Sequence, residues 1–269
     1  MSPSTAADLG RACHLGPTLT VTMLSALLAL SAGADPGTGV LVVGAVLAGQ
    51  VGIGWSNDLL DAGRDRAAGR ADKPMATGQL DPGLVRRALV VVLVVAVLLS
   101  VTVGWRSAAV HLGLVVGSGL AYNLGTKGTL WSWLPYAVAF GSLPSVVWLA
   151  VGTGWSWAPG WMTAAGALLG VGAHLLNVLP DLIHDELTGV RGLPHRLGYR
   201  WTRLLGPLVL LLGSVVVAVA PGQPVPMWAW VSLGLCLGLA VLAWTASGRT
   251  PFVAAMAMAL TNVAVLVLR

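Results

Sequence analysis

Nine apolar blocks constrain this chain more than any other feature, because a helix of about 20 apolar residues spans the roughly 30 Å of hydrocarbon in a bilayer. They lie near residues 16–34, 38–56, 84–104, 107–124, 132–150, 161–179, 204–220, 227–245 and 251–268, separated by Pro, Gly and charged residues. Only 9% of the 269 residues are charged, against about a quarter in soluble domains, and mean hydropathy is +0.82. The expected fold is all-α: a polytopic membrane protein of nine transmembrane helices forming one domain over residues 1–269. The first block ends in ALSAGA, which has the small residues of a signal-peptidase site. It is longer than an ordinary signal core and only Arg11 precedes it, so a retained span is expected.

Basic residues set the orientation. With the N-terminus inside, the inner segments carry Arg11, Arg64, Arg66, Arg70, Lys73, Arg86, Arg87, Lys127, Arg191, Arg196, Arg200, Arg203 and Arg249, leaving Arg106 and Arg269 outside. This asymmetry predicts a multi-pass protein of a bacterial cell membrane, N-terminus in and C-terminus out, with both long polar segments cytoplasmic. The net charge of +5 follows from that rule and from attraction to anionic lipid, and no nucleic-acid motif accompanies it. Cys13 and Cys236 fall far apart in this topology and read as packing residues. Most of the twelve tryptophans, among them Trp105, Trp131, Trp133, Trp155, Trp157, Trp161 and Trp228, fall at span ends, where interfacial anchors sit.

Beneath the hydropathy lies an internal repeat. At an offset of 120 residues, NDLLDAGRDRAAGRADKPMATG (57–78) aligns without a gap on NVLPDLIHDELTGVRGLPHRLG (177–198). Identical pairs are Asn57 and Asn177, Asp61 and Asp181, Asp65 and Asp185, Gly69 and Gly189, Pro74 and Pro194, Gly78 and Gly198. Chance likeness between membrane segments would concentrate in Leu, Val and Ala instead. The expected architecture is therefore two parallel four-helix repeats, about 16–130 and 131–250, plus one helix, with both copies at the same membrane face.

In each copy Asn-x-x-x-Asp-x-x-x-Asp puts three oxygen-bearing side chains at i, i+4 and i+8, on one face of a helix continuing out of the membrane. Asp58 points about 100° away from that face. Carboxylates stacked four apart repel, so a cationic partner is expected. Arg64, Arg66 and Arg70 could supply it in the first copy, whereas Asp181, Asp185 and Glu186 have only Arg191 nearby in sequence. A divalent ion would serve both copies. All-oxygen donors without a His/Cys cluster suit Mg²⁺, which binds one or two carboxylates and completes its shell with water and phosphate. Two such sites beside Lys and Arg predict a diphosphate ligand. Inside an apolar bundle that ligand is a prenyl diphosphate, ionised at its allylic C–O bond.

These residues resemble the UbiA superfamily of intramembrane prenyltransferases, whose members have two aspartate-rich motifs, N-D-x-x-D-x-x-x-D and D-x-x-x-D. The matching stretches run from Asn57 to Asp65 and from Asp181 to Asp185. The resemblance implies that Asn57, Asp61 and Asp65 bind one Mg²⁺ with Asp58 in support, and that Asp181 and Asp185, with Asn177, bind another. It implies further that Tyr122 and Lys127 of AYNLGTKG contact substrate, Lys127 gripping diphosphate oxygens. Arg66, Lys73 and Arg191 are further diphosphate candidates, each of which could equally serve topology. Pro180 disfavours helical geometry at Leu179 and is expected to end or kink that helix, turning Asp181 and Asp185 inward.

The expected activity is transfer of a prenyl group to a lipophilic, aromatic acceptor. A terpene cyclase of the same superfamily is the alternative, and a transporter of a phosphorylated lipid a third reading. With only two Phe and three Tyr, a cation-guiding cavity would have to use tryptophans inside spans, such as Trp148 or Trp244, which weighs against cyclisation. His14, His111, His174, His184 and His195 are the candidate bases, and none has a recognisable partner in the sequence.

Overall fold

The computed structural model describes residues 3–187, 189–222 and 224–268, and the side chains of all of these except residues 3, 4, 183, 184 and 187. His184, one of the candidate bases, is thus outside the described side chains. All regular structure among the described residues is helical. Helix α1 (Pro3–Ala12) meets α2 (Leu15–Ser31) at a bend of 68°. There follow α3 (Pro36–Ala67), α4 (Pro82–Val103), and a span built of α5 (Trp105–Val110), a π-helical segment (His111–Val116) and α6 (Gly117–Leu124). The second half comprises α7 (Leu134–Val151), α8 (Gly160–Val178), the short α9 (Leu182–Leu187), α10 (Leu193–Val219), α11 (Met227–Thr245) and α12 (Thr250–Val267). Eight of these spans are long and apolar enough to cross a membrane singly, and the bent pair α1–α2 makes a ninth.

Each helix packs on its sequence neighbours, and α12 returns to pack on α2, so the spans close into a ring. Outer faces are apolar: Val90, Val91, Val94, Leu98 and Val101 of α4 and Trp230, Val231 and Leu235 of α11 are all exposed. Such a surface is stable only against lipid. Two of the ten acidic residues act as N-caps. Asp35 accepts from the Gly37 and Thr38 amides at 3.0 and 3.1 Å, and Asp81 from those of Gly83 and Leu84 at 3.0 Å, each followed by Pro at the first helical position.

One expectation holds and two differ where the site is positioned. Helix α3 runs past its apolar block to Ala67, as the motif spacing predicts, so the first motif rides on its last three turns. Helix α10 starts at Leu193, before the expected 204, and is broken at Gly198 (φ 77°, ψ 167°). Leu179 keeps helical angles (φ −51°, ψ −44°), although α8 ends just before it; the chain passes through a 3₁₀ turn (Leu179–Asp181) into α9. Pro180 thus tightens the helix rather than leaving the helical region. The four glycines paired in the repeat all have positive φ, 66° and 83° at Gly69 and Gly189, 79° and 77° at Gly78 and Gly198.

Candidate active site

The last turns of α3 face the α8–α9 junction across a cavity of about 170 Å³ at one end of the bundle. Asn57, Asp61 and Asp65 border it from α3, and Asn177, Asp181 and Asp185 from the other side. Lys127, in a 3₁₀ turn after α6, also borders it, with Tyr122 and Lys73. Three of the metal and substrate candidates do not, nor does the candidate base His111, whose Nδ1 lies 2.8 Å from Ser100 Oγ. Asp58 is buried (2% exposed) and held by Lys73 Nζ at 2.6 Å and His14 Nε2 at 2.8 Å. Arg66 donates to the Met75 carbonyl at 3.2 Å, and the exposed Arg191 pairs with Glu186 at 3.4 Å.

Every basic side chain at the cavity is engaged or close to a carboxylate. Lys127 Nζ lies 2.6 Å from both Asp61 oxygens, and Arg64 donates to the same carboxylate. The second motif is not limited to Arg191, as its sequence surroundings suggest. Arg70, from the loop after α3, crosses to Asp181 at 3.1 Å while its fork holds Asp72 at 2.9 and 3.0 Å. That hydrogen-bonded fork pushes the Asp72 carboxyl down to about 2 and raises the Arg70 guanidinium above its ordinary range. Arg249, between α11 and α12, reaches Asp72 at 3.6 Å. His195 accepts the Gly192 amide on Nδ1 at 3.2 Å, and its Nε2 lies 3.6 Å from an Asp185 carboxylate oxygen.

A second cavity, about 200 Å³ and mostly apolar in its lining, adjoins the first. His14, Asn57, Tyr122, Asn177 and Phe252 border both. At this neck Tyr136 stands 4.8 Å from the buried His174 ring, its hydroxyl accepting from Asn177 Nδ2 at 3.2 Å. Tyr122 packs edge-on against both rings. The expectation that aromatic walls would come from tryptophans is overturned: Tyr122, Tyr136, Phe140 and Phe252 line these cavities. Trp148 packs instead in a core cluster, and Trp244 is 55% exposed on the outer face.

Sequence reasoning passed over Arg249 as a site residue and left Arg64 and Arg70 as mere counterions. It also gave no partner to His14, His174 or His195. His174 has Ser132 Oγ at 3.1 Å, which also accepts the Leu193 amide. His14 carried one available signal: its partner Asp58 is the motif aspartate that the repeat does not copy. His14 is also the only described non-glycine residue with positive φ (56°), set there by the break between α1 and α2.

The donors facing the cavity are carboxylate and amide oxygens, a hard set that fits Mg²⁺. Among the described residues no three His, Cys, Asp or Glu groups converge on one point. A cation here would therefore be held by one or two carboxylates, with water and phosphate completing its shell.

Comparison with curated proteins by sequence returns no match. Among solved structures, a UbiA homologue from Archaeoglobus fulgidus bound to GPP and Mg²⁺ superposes with a TM-score of 0.72 at 14% identity, over 97% of this chain and 100% of that one. The apo form of a UbiA homologue from Aeropyrum pernix K1 gives 0.75 at 17%, over 91% and 94%. A digeranylgeranylglyceryl phosphate synthase gives 0.68 at 13%, over 98% of each chain. At these identities the likeness is one of fold. The profile of the UbiA prenyltransferase family matches residues 18–265, nearly the whole chain, and this polytopic membrane protein belongs to that family.

Proposed function

We propose that the protein is a Mg²⁺-dependent intramembrane prenyltransferase, which ionises a prenyl diphosphate and passes the prenyl group to a lipophilic, aromatic acceptor. One observation carries this: a cavity rich in carboxylates and cations opens through a neck of tyrosines into an apolar chamber. The two parts match the two halves of a prenyl diphosphate. The relatives from Archaeoglobus fulgidus were solved with GPP or DMAPP together with Mg²⁺, which supports the same ligand class here.

Asn57, Asp61, Asp65, Asn177, Asp181 and Asp185 are the residues to hold the metal. When bound, it neutralises charge developing on the departing diphosphate. Lys127, Arg64 and Arg70 act at the same end, presenting donors to diphosphate oxygens once a ligand competes for the carboxylates they now hold. Tyr122 and Tyr136 flank the path from head to tail. The apolar chamber beneath them keeps water from the allylic cation, and π faces there stabilise positive charge. The equal backbone signs at Gly69 and Gly189, and at Gly78 and Gly198, support treating the two motif loops as repeats of one design. By the basic-residue asymmetry both loops face the cytoplasm.

The aromatic lining also favours a second reading, a terpene cyclase in which a double bond of the prenyl chain captures the cation. Purified protein given geranylgeranyl diphosphate, Mg²⁺ and a lipophilic aromatic acceptor should release pyrophosphate, and Asp61→Ala and Asp181→Ala should each lower that release by about a hundredfold or more. Mass analysis of products from cells supplied with prenyl diphosphate separates the readings: a prenylated aromatic supports transfer and a cyclic hydrocarbon supports cyclisation. Absence of turnover across prenyl chain lengths and acceptors would favour a transporter.

A further inference from the structure

We propose that Phe140 is the floor of the prenyl chamber and sets the length of chain the protein accepts, an inference that rests on the prenyl diphosphate reading of the same cavity. Beyond the apolar chamber lies a smaller cavity of about 40 Å³. Phe140, Leu169 and Ala259 border both spaces. Leu169 is fixed in the core at 5% exposure and Ala259 contributes a single methyl group. The Phe140 ring is therefore the largest part of the partition.

Helix α7 runs along the path in successive turns. Tyr136 stands at the neck, Phe140 lies about 6 Å further along, and Leu143 and Pro144 border the smaller cavity. The Phe140 ring is held on two sides. Tyr136 stacks above it, with centroids 6.3 Å apart and planes within 4°. Below, α8 approaches so closely that a Cβ on Gly170 would lie 2.9 Å from Phe140 Cβ and 2.5 Å from the Tyr136 carbonyl oxygen, and one on Gly166 would strike the Phe140 carbonyl. The backbone carrying the ring cannot withdraw, so a chain reaching this depth stops at the ring. Shortening the side chain joins the two cavities in line with the tail.

The test measures kcat/KM for pyrophosphate release, and thermal stabilisation of the protein, with geranyl, farnesyl and geranylgeranyl diphosphates in the presence of Mg²⁺. Phe140→Ala should shift the ratio of kcat/KM toward the longest chain by about tenfold or more, the discrimination an apolar pocket exerts on a methylene or two. Phe140→Leu, which keeps more of the packing, should shift it the same way by less and decides the matter if the alanine variant does not fold. An unchanged ratio and an unchanged order of stabilisation overturn the floor, since the tail then leaves the chamber by another route. A wild-type protein that neither turns over nor is stabilised by any of the three overturns the prenyl diphosphate reading itself.

Discussion

Asp58 has no counterpart in the second motif, where Val178 stands, and it alone of the first motif's acids is buried away from the cavity. Its charge is matched by Lys73 and His14. Removing Lys73 leaves the buried carboxylate with His14 as its one remaining partner, so Lys73→Met should cost about 3 kcal/mol, the lower end for a broken buried pair. Adding Asp58→Asn should recover much of that, and thermal unfolding in detergent measures both. Lys127→Met should behave oppositely: Arg64 still covers Asp61, so the fold persists while pyrophosphate release falls about a hundredfold. Asp72 is ionised throughout any ordinary assay. Its carboxyl is held at about 2, so its contribution to stability is complete above the unfolded value of about 4 and lost only as pH falls toward 2. An acidic limb in the pH–rate profile should accordingly stay in place in Asp72→Asn. Both motifs were legible because their spacing is local in the chain: the first lies on one helix, and the second keeps the same spacing across the end of α8, a 3₁₀ turn and α9. The counterions were not, because Arg70 and Asp181 are 111 residues apart and only the closed bundle brings them together.

At the scale of elements, the number and order of spans followed from hydropathy, which reports how much apolar surface a helix must cover. Their ends did not. Apolar runs mark where lipid begins and ends, whereas α3 continues to Ala67 because its polar turns face a cavity instead of solvent. The cap motif Asp-Pro-Gly occurs at 35–37 and again at 81–83, a helix-start signal independent of hydropathy. Asp81→Ala should cost about 1 kcal/mol, and Asp35→Ala should lower stability in the same direction. Helix α10 breaks at Gly198, whose angles are open almost only to glycine. Gly198→Ala should therefore lower stability by about 1–3 kcal/mol, while Gly160→Ala, at the start of α8 with open space around it, serves as the neutral control. Differential thermal unfolding distinguishes the two.

At the scale of the whole molecule, both motif loops lie at one end of the bundle, joined by Arg70 to Asp181, while Arg249 ties the α11–α12 connection to Asp72 of the first loop. The basic-residue asymmetry predicts that this end faces the cytoplasm. A reporter that works only outside the membrane should then be active when fused after Arg269 and silent when inserted near Gly69. Chelation should abolish pyrophosphate release, and added Mg²⁺ should restore it along with any thermal stabilisation by ligand. The cavity's shape, and the aromatics that line it, were hidden from the sequence because they depend on which face each span turns inward, and an apolar helix in lipid carries little pattern to reveal that. The return of α12 onto α2 has a consequence for biogenesis. Phe252, Ala255, Met256 and Ala259 of α12 complete the chamber wall, so the chamber remains open to lipid until α12 has been made and inserted, and a chain stalled before residue 250 would sit in the membrane with that chamber unsealed.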